Sequence, residues 1–131
     1  MPDIAFDASL STGVAVHDSA PDQGQSGWFE VGGTSVGAPS WSGILADADQ
    51  LRAAKGEPPL TAAGYATQRT LYSLAAGGSR VLVPVTTGPD NGFCPVGCAP
   101  GPGYDEITGV GSPRSGSDAA LAAGPSPSVS G

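Results

Sequence analysis

The sequence predicts an α/β chain, and three observations predict it. Short runs rich in β-branched and aromatic residues fill the first third. Two longer segments with apolar residues three and four apart fill the middle, and another apolar run follows them at 81–85.

Taken in order, Ile4-Ala5-Phe6 and Val14-Ala15-Val16 flank Ser11-Thr12-Gly13, a turn signal, and read as two short strands. Residues 18–27 are polar and hold Pro21, Gly24 and Gly27, so they read as a surface loop. Trp28-Phe29-Glu30-Val31 resumes the extended chain and delivers it to Gly32-Gly33. Over 36–55 the apolar positions Trp41, Ile44, Leu45, Ala48 and Leu51 keep helical spacing, with Asp47, Asp49, Gln50 and Arg52 on the other side. Pro39 falls in the first turn, where the earliest N–H groups have no helical partner, and Gly56 with Pro58-Pro59 ends the helix. A second helix is expected over 61–76, with Thr61 as N-cap, Tyr65, Leu71, Tyr72 and Leu74 along it, and Gly77-Gly78 as its stop. The run 81–85 reads as a strand, and Pro84, lacking a ladder donor, puts it at an edge or a strand end. Residues 87–104 are too rich in Gly and Pro for regular structure; a loop of that length points to function, a ligand or disorder. The last stretch, 115–131, is Ser/Gly/Ala/Pro-rich, with one short helix around 118–122 and then a tail.

At 131 residues, 39% of them hydrophobic, the chain fits one domain with a real core. A net charge of −7 with five Lys and Arg argues against a nucleic-acid backbone or an anionic membrane surface as partner. No stretch approaches the ~18 apolar residues of a membrane span, and Met1-Pro2-Asp3 does not open a charged-then-apolar leader. Cys94 and Cys98 share one Gly/Pro-rich loop. They fit a very small disulfide ring in an oxidising compartment and fit two free thiols equally well; without neighbouring histidines they make a poor zinc site.

The most informative segment is Gly33-Thr34-Ser35-Val36-Gly37-Ala38-Pro39, which puts a serine at a strand-to-helix junction between small residues. A hydroxyl there is exposed and near free backbone N–H groups, as a nucleophile attacking a carbonyl requires. The plainer role is an N-cap, in which the serine oxygen accepts from the second or third helical N–H. Gly32-Gly33 before the serine and Gly37-Ala38 after it favour the nucleophile, because they let a substrate backbone approach. A base is harder to find. His17, the only histidine, sits beside Asp18 in an alternating strand pattern, an ordinary surface position.

The segment 32–39 resembles the nucleophile motif of the sedolisins, the serine-carboxyl peptidases. The resemblance continues in Pro2-Asp3-Ile4-Ala5-Phe6-Asp7-Ala8 with Thr12-Gly13 upstream. It extends to Gly101-Pro102-Gly103-Tyr104-Asp105 followed by Thr108-Gly109-Val110-Gly111-Ser112-Pro113, which looks like the family's calcium loop and closing motif. The segment 104–113 separates sedolisins from other subtilases, which share only the Gly-Thr-Ser-x-x-x-Pro pattern. The resemblance implies a subtilisin-like three-layer fold with a parallel sheet flanked by helices. Residues 1–114 would be the C-terminal part of its catalytic domain, and 115–131 a tail. It further implies a secreted endopeptidase, acting in acid on protein or peptide substrates through an acyl-enzyme on Ser35. In that family a glutamate backed by an aspartate is the base, and a neutral aspartate completes the oxyanion hole. A carboxylate base remains usable where histidine is already protonated, and a neutral Asp can donate to the oxyanion.

The departures are equally specific. The family's Glu and both Asp partners lie far N-terminal to the serine, and 34 residues precede Ser35, so no position here is assigned to them. Asp3 and Asp7 fall in the upstream structural segment. The resemblance therefore implies a partner, the N-terminal part of the catalytic domain, without which Ser35 lacks its activating base. For calcium it implies Val85, Gly101, Gly103 and Asp105 as oxygen ligands, a donor set that suits a hard cation. The leading Asp of that set is replaced by Pro84, with Asp90 a neighbouring substitute; a calcium-free Gly/Pro loop is the alternative.

Overall fold

The computed structural model describes residues 1–60, 65–78, 80–88 and 99–124. Thr61, Asp90, Cys94 and Cys98 lie outside the described residues, as does the end of the tail, 125–131.

The first third folds on itself as a hairpin. Strand β1, Val14–Asp22, pairs antiparallel with β2, Gln25–Val31, in the register Val14↔Val31, Val16↔Phe29 and His17↔Trp28. The stretch 18–27 is thus largely strand rather than loop. Gln23 and Gly24 both take positive φ (50° and 82°), the geometry of a tight hairpin turn. Pro21 is tolerated because a two-stranded ribbon consists only of edges, and the register shifts between Asp18 and Asp22. Cross-strand pairing puts Val14, Val16, Phe29 and Val31 on one face and the edge-to-face pair His17 and Trp28 on the other.

A 3-10 turn, Thr34–Val36, leads directly into α1, Gly37–Ala53. The helix agrees with its expected span, but its buried stripe is rotated from the one the sequence suggests. Trp41, Ala48 and Arg52 are buried, while Leu51 is 39% exposed. At about 100° per residue, Arg52 falls roughly 20° from Trp41 around the helix and Leu51 roughly 80° away, so position 52 faces the core. The guanidinium is fully enclosed and well supplied with acceptors. Nε donates to Pro58 O at 2.7 Å; Nη1 donates to Ala122 O at 3.2 Å and Gly124 O at 3.1 Å and pairs with Glu57 at 3.2 Å. Helix α2 runs Ala66–Ala76. Tyr65, expected inside it, precedes it in the left-handed region at φ 58°.

Strand β3, Leu82–Val83, is shorter than the expected 81–85 and pairs antiparallel with β4, Ser112–Pro113. Helix α3, Ser117–Ala122, buries Ser117, Leu121 and Ala122. The Ser117 hydroxyl donates to Val81 O at 2.8 Å, which fastens the start of α3 to the lead into β3. The core gathers Trp41, Ala48, Leu60, Leu71, Leu82, Val110, Leu121 and Ala122, with Ile4, Phe6, Ile44 and Leu45 packed against it.

The expected parallel sheet in a subtilisin-like three-layer arrangement is not what forms. Among the described residues both ladders are two-stranded and antiparallel, and the isolated bridge Asp105↔Gly109 is antiparallel as well. The reason lies in chain connectivity. Parallel neighbours need a crossover, whereas 14–22 meets 25–31 across a two-residue turn. Residues 4–6 join no ladder; Ala5 is bonded to Gly111, to Ser112 and to Trp41 of α1.

The buried guanidinium gives a stability test. Arg52→Ala leaves the carbonyls of Pro58, Ala122 and Gly124 without their donor, and its expected cost is roughly 3 kcal/mol. Leu51→Ala, on the half-exposed side, should cost less than about 1 kcal/mol. Urea denaturation of the two variants checks the order.

Candidate active site

Ser35 occupies the middle of the 3-10 turn and is exposed. It is not an N-cap: Gly33 caps the 3-10 turn, Val36 caps α1, and neither end carries a side-chain cap hydrogen bond. The turn is held by backbone bonds, Val36 N–H to Gly33 O at 3.0 Å and Gly37 N–H to Thr34 O. Its approach is fixed by Gly33 N–H donating to Ala8 O at 2.9 Å.

The glycines before the serine have structural reasons. Gly33 sits at φ 107°, which an L side chain rarely adopts, and a Cβ on Gly32 would lie 2.6 Å from Ser9 O. Their presence therefore does not itself speak for a substrate. Gly37 is tight as well, its Cβ position lying 3.2 Å from Phe6 Cβ.

The upstream segment passes beside this turn. Asp3 O accepts Val110 N–H at 2.9 Å, and Ala5 N–H donates to Gly111 O at 2.9 Å. Ala5 O accepts the Trp41 indole N–H at 3.0 Å and the Ser112 hydroxyl at 3.4 Å. A Cβ on Gly109 would run into Asp3 O, and one on Gly111 into Val83 O, so both contacts exist only because these residues are glycine. A cleft of about 430 Å³ opens where the three segments meet, lined among others by Phe6, Ala8, Thr34, Ala38, Trp41 and Ile107. Among the described residues no charged one lines it. The indole N–H of Trp41 is already spent on Ala5 O, so the wall presents mainly apolar surface to a ligand.

The carboxylates of the upstream segment are engaged elsewhere. Asp7 accepts the Thr12 hydroxyl at 2.6 Å and Ser9 N–H at 2.9 Å; these bonds, the Thr12 one first, hold its carboxyl below the usual range. Asp3 Oδ1 accepts the Tyr72 hydroxyl at 2.7 Å, and that bond is the main cause pushing the Tyr72 phenol up to about 12. His17 packs its ring against Trp28, centroids 5.1 Å apart. Among the described residues none of these groups hydrogen-bonds Ser35, and no base is brought to its hydroxyl.

Of the expected calcium ligands, Asp105 is the only carboxylate, and it is 8% exposed. Its Oδ1 accepts Ile107 N–H at 2.9 Å and Thr108 N–H at 2.7 Å; its Oδ2 accepts the Thr108 hydroxyl at 2.6 Å and Gly101 N–H at 3.4 Å. Burial pushes its pKa up, but these bonds outweigh burial and the net shift is downward. Gly101 is half-buried beside it, Gly103 is exposed and Val85 half-buried. As arranged, the set does not fit a hard cation: its one carboxylate already receives four protein donors. Among the described residues no group of three or more His, Cys, Asp or Glu side chains stands together.

No family model, curated protein or solved structure matches the chain. Its site therefore has to be read from its own residues. Among the described residues no helix is long and apolar enough to cross a membrane.

Three contacts that hold the fold around the site have no counterpart in the sequence reading. The Trp41 indole bond to Ala5 and the Tyr72 bond to Asp3 span 36 and 69 residues and leave no local signal. Arg52 was within reach, because helical geometry places it nearer Trp41 than Leu51.

Two predictions follow from the clamp on residues 3–5. Gly109→Ala forces a Cβ into the Asp3 carbonyl and should abolish cooperative folding, measured by near-UV circular dichroism. Tyr72, raised from 10 to about 12, contributes stability that is fully present below pH ~10 and is lost as pH rises through its folded value. In Asp3→Ala the tyrosinate absorbance step near 12 should move down toward 10.

Proposed function

We propose that this chain is the serine-bearing part of a secreted, acid-acting serine-carboxyl endopeptidase, with Ser35 as nucleophile. One observation supports the reading: the three segments that resemble sedolisin motifs, far apart in sequence, line one apolar cleft, and Thr34 and Gly37 of its wall flank the exposed Ser35.

In this reading Ser35 Oγ attacks the scissile carbonyl and passes its proton to a carboxylate base. The tetrahedral intermediate collapses to an ester on Ser35 with loss of the amine, and water then hydrolyses that ester. Ser35 lies one residue before the N-cap of α1, so the positive end of that helix favours the developing oxyanion. The cleft would seat an apolar side chain of the substrate beside the bond that is cut.

In this reading the base glutamate, its aspartate partner and the oxyanion aspartate come from a further, N-terminal part of the catalytic domain; among the described residues Asp3, Asp7 and Asp105 are bonded to other partners. The 131 residues alone would then hold a serine of ordinary reactivity. A second reading, a non-catalytic module with a binding or structural role, draws on that same lack of a base.

Labelling with a fluorophosphonate probe separates the two. The 131-residue chain should show little or no modification of Ser35. On this proposal a chain that also carries the N-terminal part of the catalytic domain should be labelled at Ser35 in acid and should lose both labelling and peptide hydrolysis in Ser35→Ala. Absence of labelling in the longer chain would favour the non-catalytic module, and rapid stoichiometric labelling of the short chain would contradict the missing base.

A further inference from the structure

The cation loop that the resemblance implies is built here around a carboxylate already engaged by protein donors, and we infer that the segment 101–111 is organised by Asp105 itself and holds its shape without calcium.

The donor count comes first. A carboxylate offers about four lone-pair sites. Asp105 has three firm donors at 2.6–2.9 Å, from Ile107 N–H, Thr108 N–H and the Thr108 hydroxyl, and a longer fourth from Gly101 N–H at 3.4 Å. Hydrogen bonds to an ionised acceptor are the strong kind, and N–H groups converging on a carboxylate do the same electrostatic work a cation would do. Calcium entering at Asp105 would have to evict at least one donor and leave it unpaired in a site that is 8% exposed.

The charge around the site agrees. The position where the resemblance expects a second carboxylate holds Pro84, which can offer a cation only its carbonyl. Calcium sites owe much of their affinity to the number of charged ligands, and one engaged carboxylate is a poor start.

The loop is also closed by means that need no metal. Asp105 and Gly109 exchange both backbone bonds, each 3.0 Å, so the turn between them is a locked bridge. Gly111 N–H donates to Thr108 O at 3.1 Å, and Val110 N–H fastens the far end to Asp3 O. Thr108 joins the two systems: its hydroxyl and amide both serve Asp105, and it also lines the cleft beside the Ser35 turn. Asp105 is thus a positioning residue for one wall of the cleft. This inference does not depend on the peptidase reading, which fails or stands on Ser35 labelling.

Thermal melts with millimolar calcium and with a chelator test it, paired with terbium luminescence on the unmodified chain. The expected result is the same Tm in both buffers and no saturable terbium signal. Asp105→Ala should lower Tm by about 3–6 °C, equally with and without calcium. Should that variant fail to fold, Thr108→Val removes one donor and should give a smaller, equally calcium-independent drop. A calcium-dependent rise in Tm, or a saturable terbium signal that disappears in Asp105→Asn or in Asp90→Asn, would overturn the inference.

Discussion

The backbone of residues 3–5 is the constraint on which the rest of this structure depends. Within three residues it receives or gives four hydrogen bonds from distant segments: Val110, Gly111, the Trp41 indole and Ser112. The Asp3 side chain adds a fifth, from Tyr72 on α2. Each such bond contributes only about 1 kcal/mol net, but leaving a buried backbone group unpaired costs more, so the set is held or lost together. Gly109 makes the approach possible, since a side chain there would occupy the space of the Asp3 carbonyl; Gly111 in the same way lets the loop lie against the Val83 carbonyl. The segment is extended without belonging to a sheet, and packing on both sides replaces the missing ladder.

From this clamp the Ser35 turn inherits its position. Phe6 lies against Gly37, Ala8 accepts the Gly33 amide, and Trp41 anchors α1 through its indole N–H. The apolar cleft is the space left between these three attachments. A nucleophile needs a fixed hydroxyl, a fixed oxyanion seat and a base. Among the described residues the Ser35 hydroxyl is exposed one residue before the N-cap of α1, and no hydrogen bond joins a carboxylate or imidazole to it.

Much of the local structure was legible in the sequence, for physical reasons that are easy to name. The three-four spacing from Trp41 to Ala48 marked α1, Gly77-Gly78 marked the end of α2, and Trp41 declared itself as core. The errors have separate causes. Pro21, Gly24 and Gly27 suggested a loop because turn residues are read as interruptions, but in a free ribbon every strand is an edge and tolerates them. Arg52 was placed outside on polarity, although helical geometry turned it inward and its acceptors came from 6 to 72 residues away. The parallel sheet came from resemblance alone, and nothing in the chain's own spacing called for it. For the candidate site, the serine, the closing loop and the upstream segment were all visible as motifs. That they meet was not, because the bonds joining them carry no local pattern.

Native-state hydrogen exchange tests the clamp most directly. The amides of Ala5, Val110 and Gly111 lie in short irregular segments, which ordinarily exchange quickly. On this account they exchange as slowly as the buried middle of α1, and all three are lost in the same global event. Fast exchange at Ala5 and Val110 while Ala48 stays protected would show that residues 3–5 merely rest on the surface, and the central role given to them would be wrong.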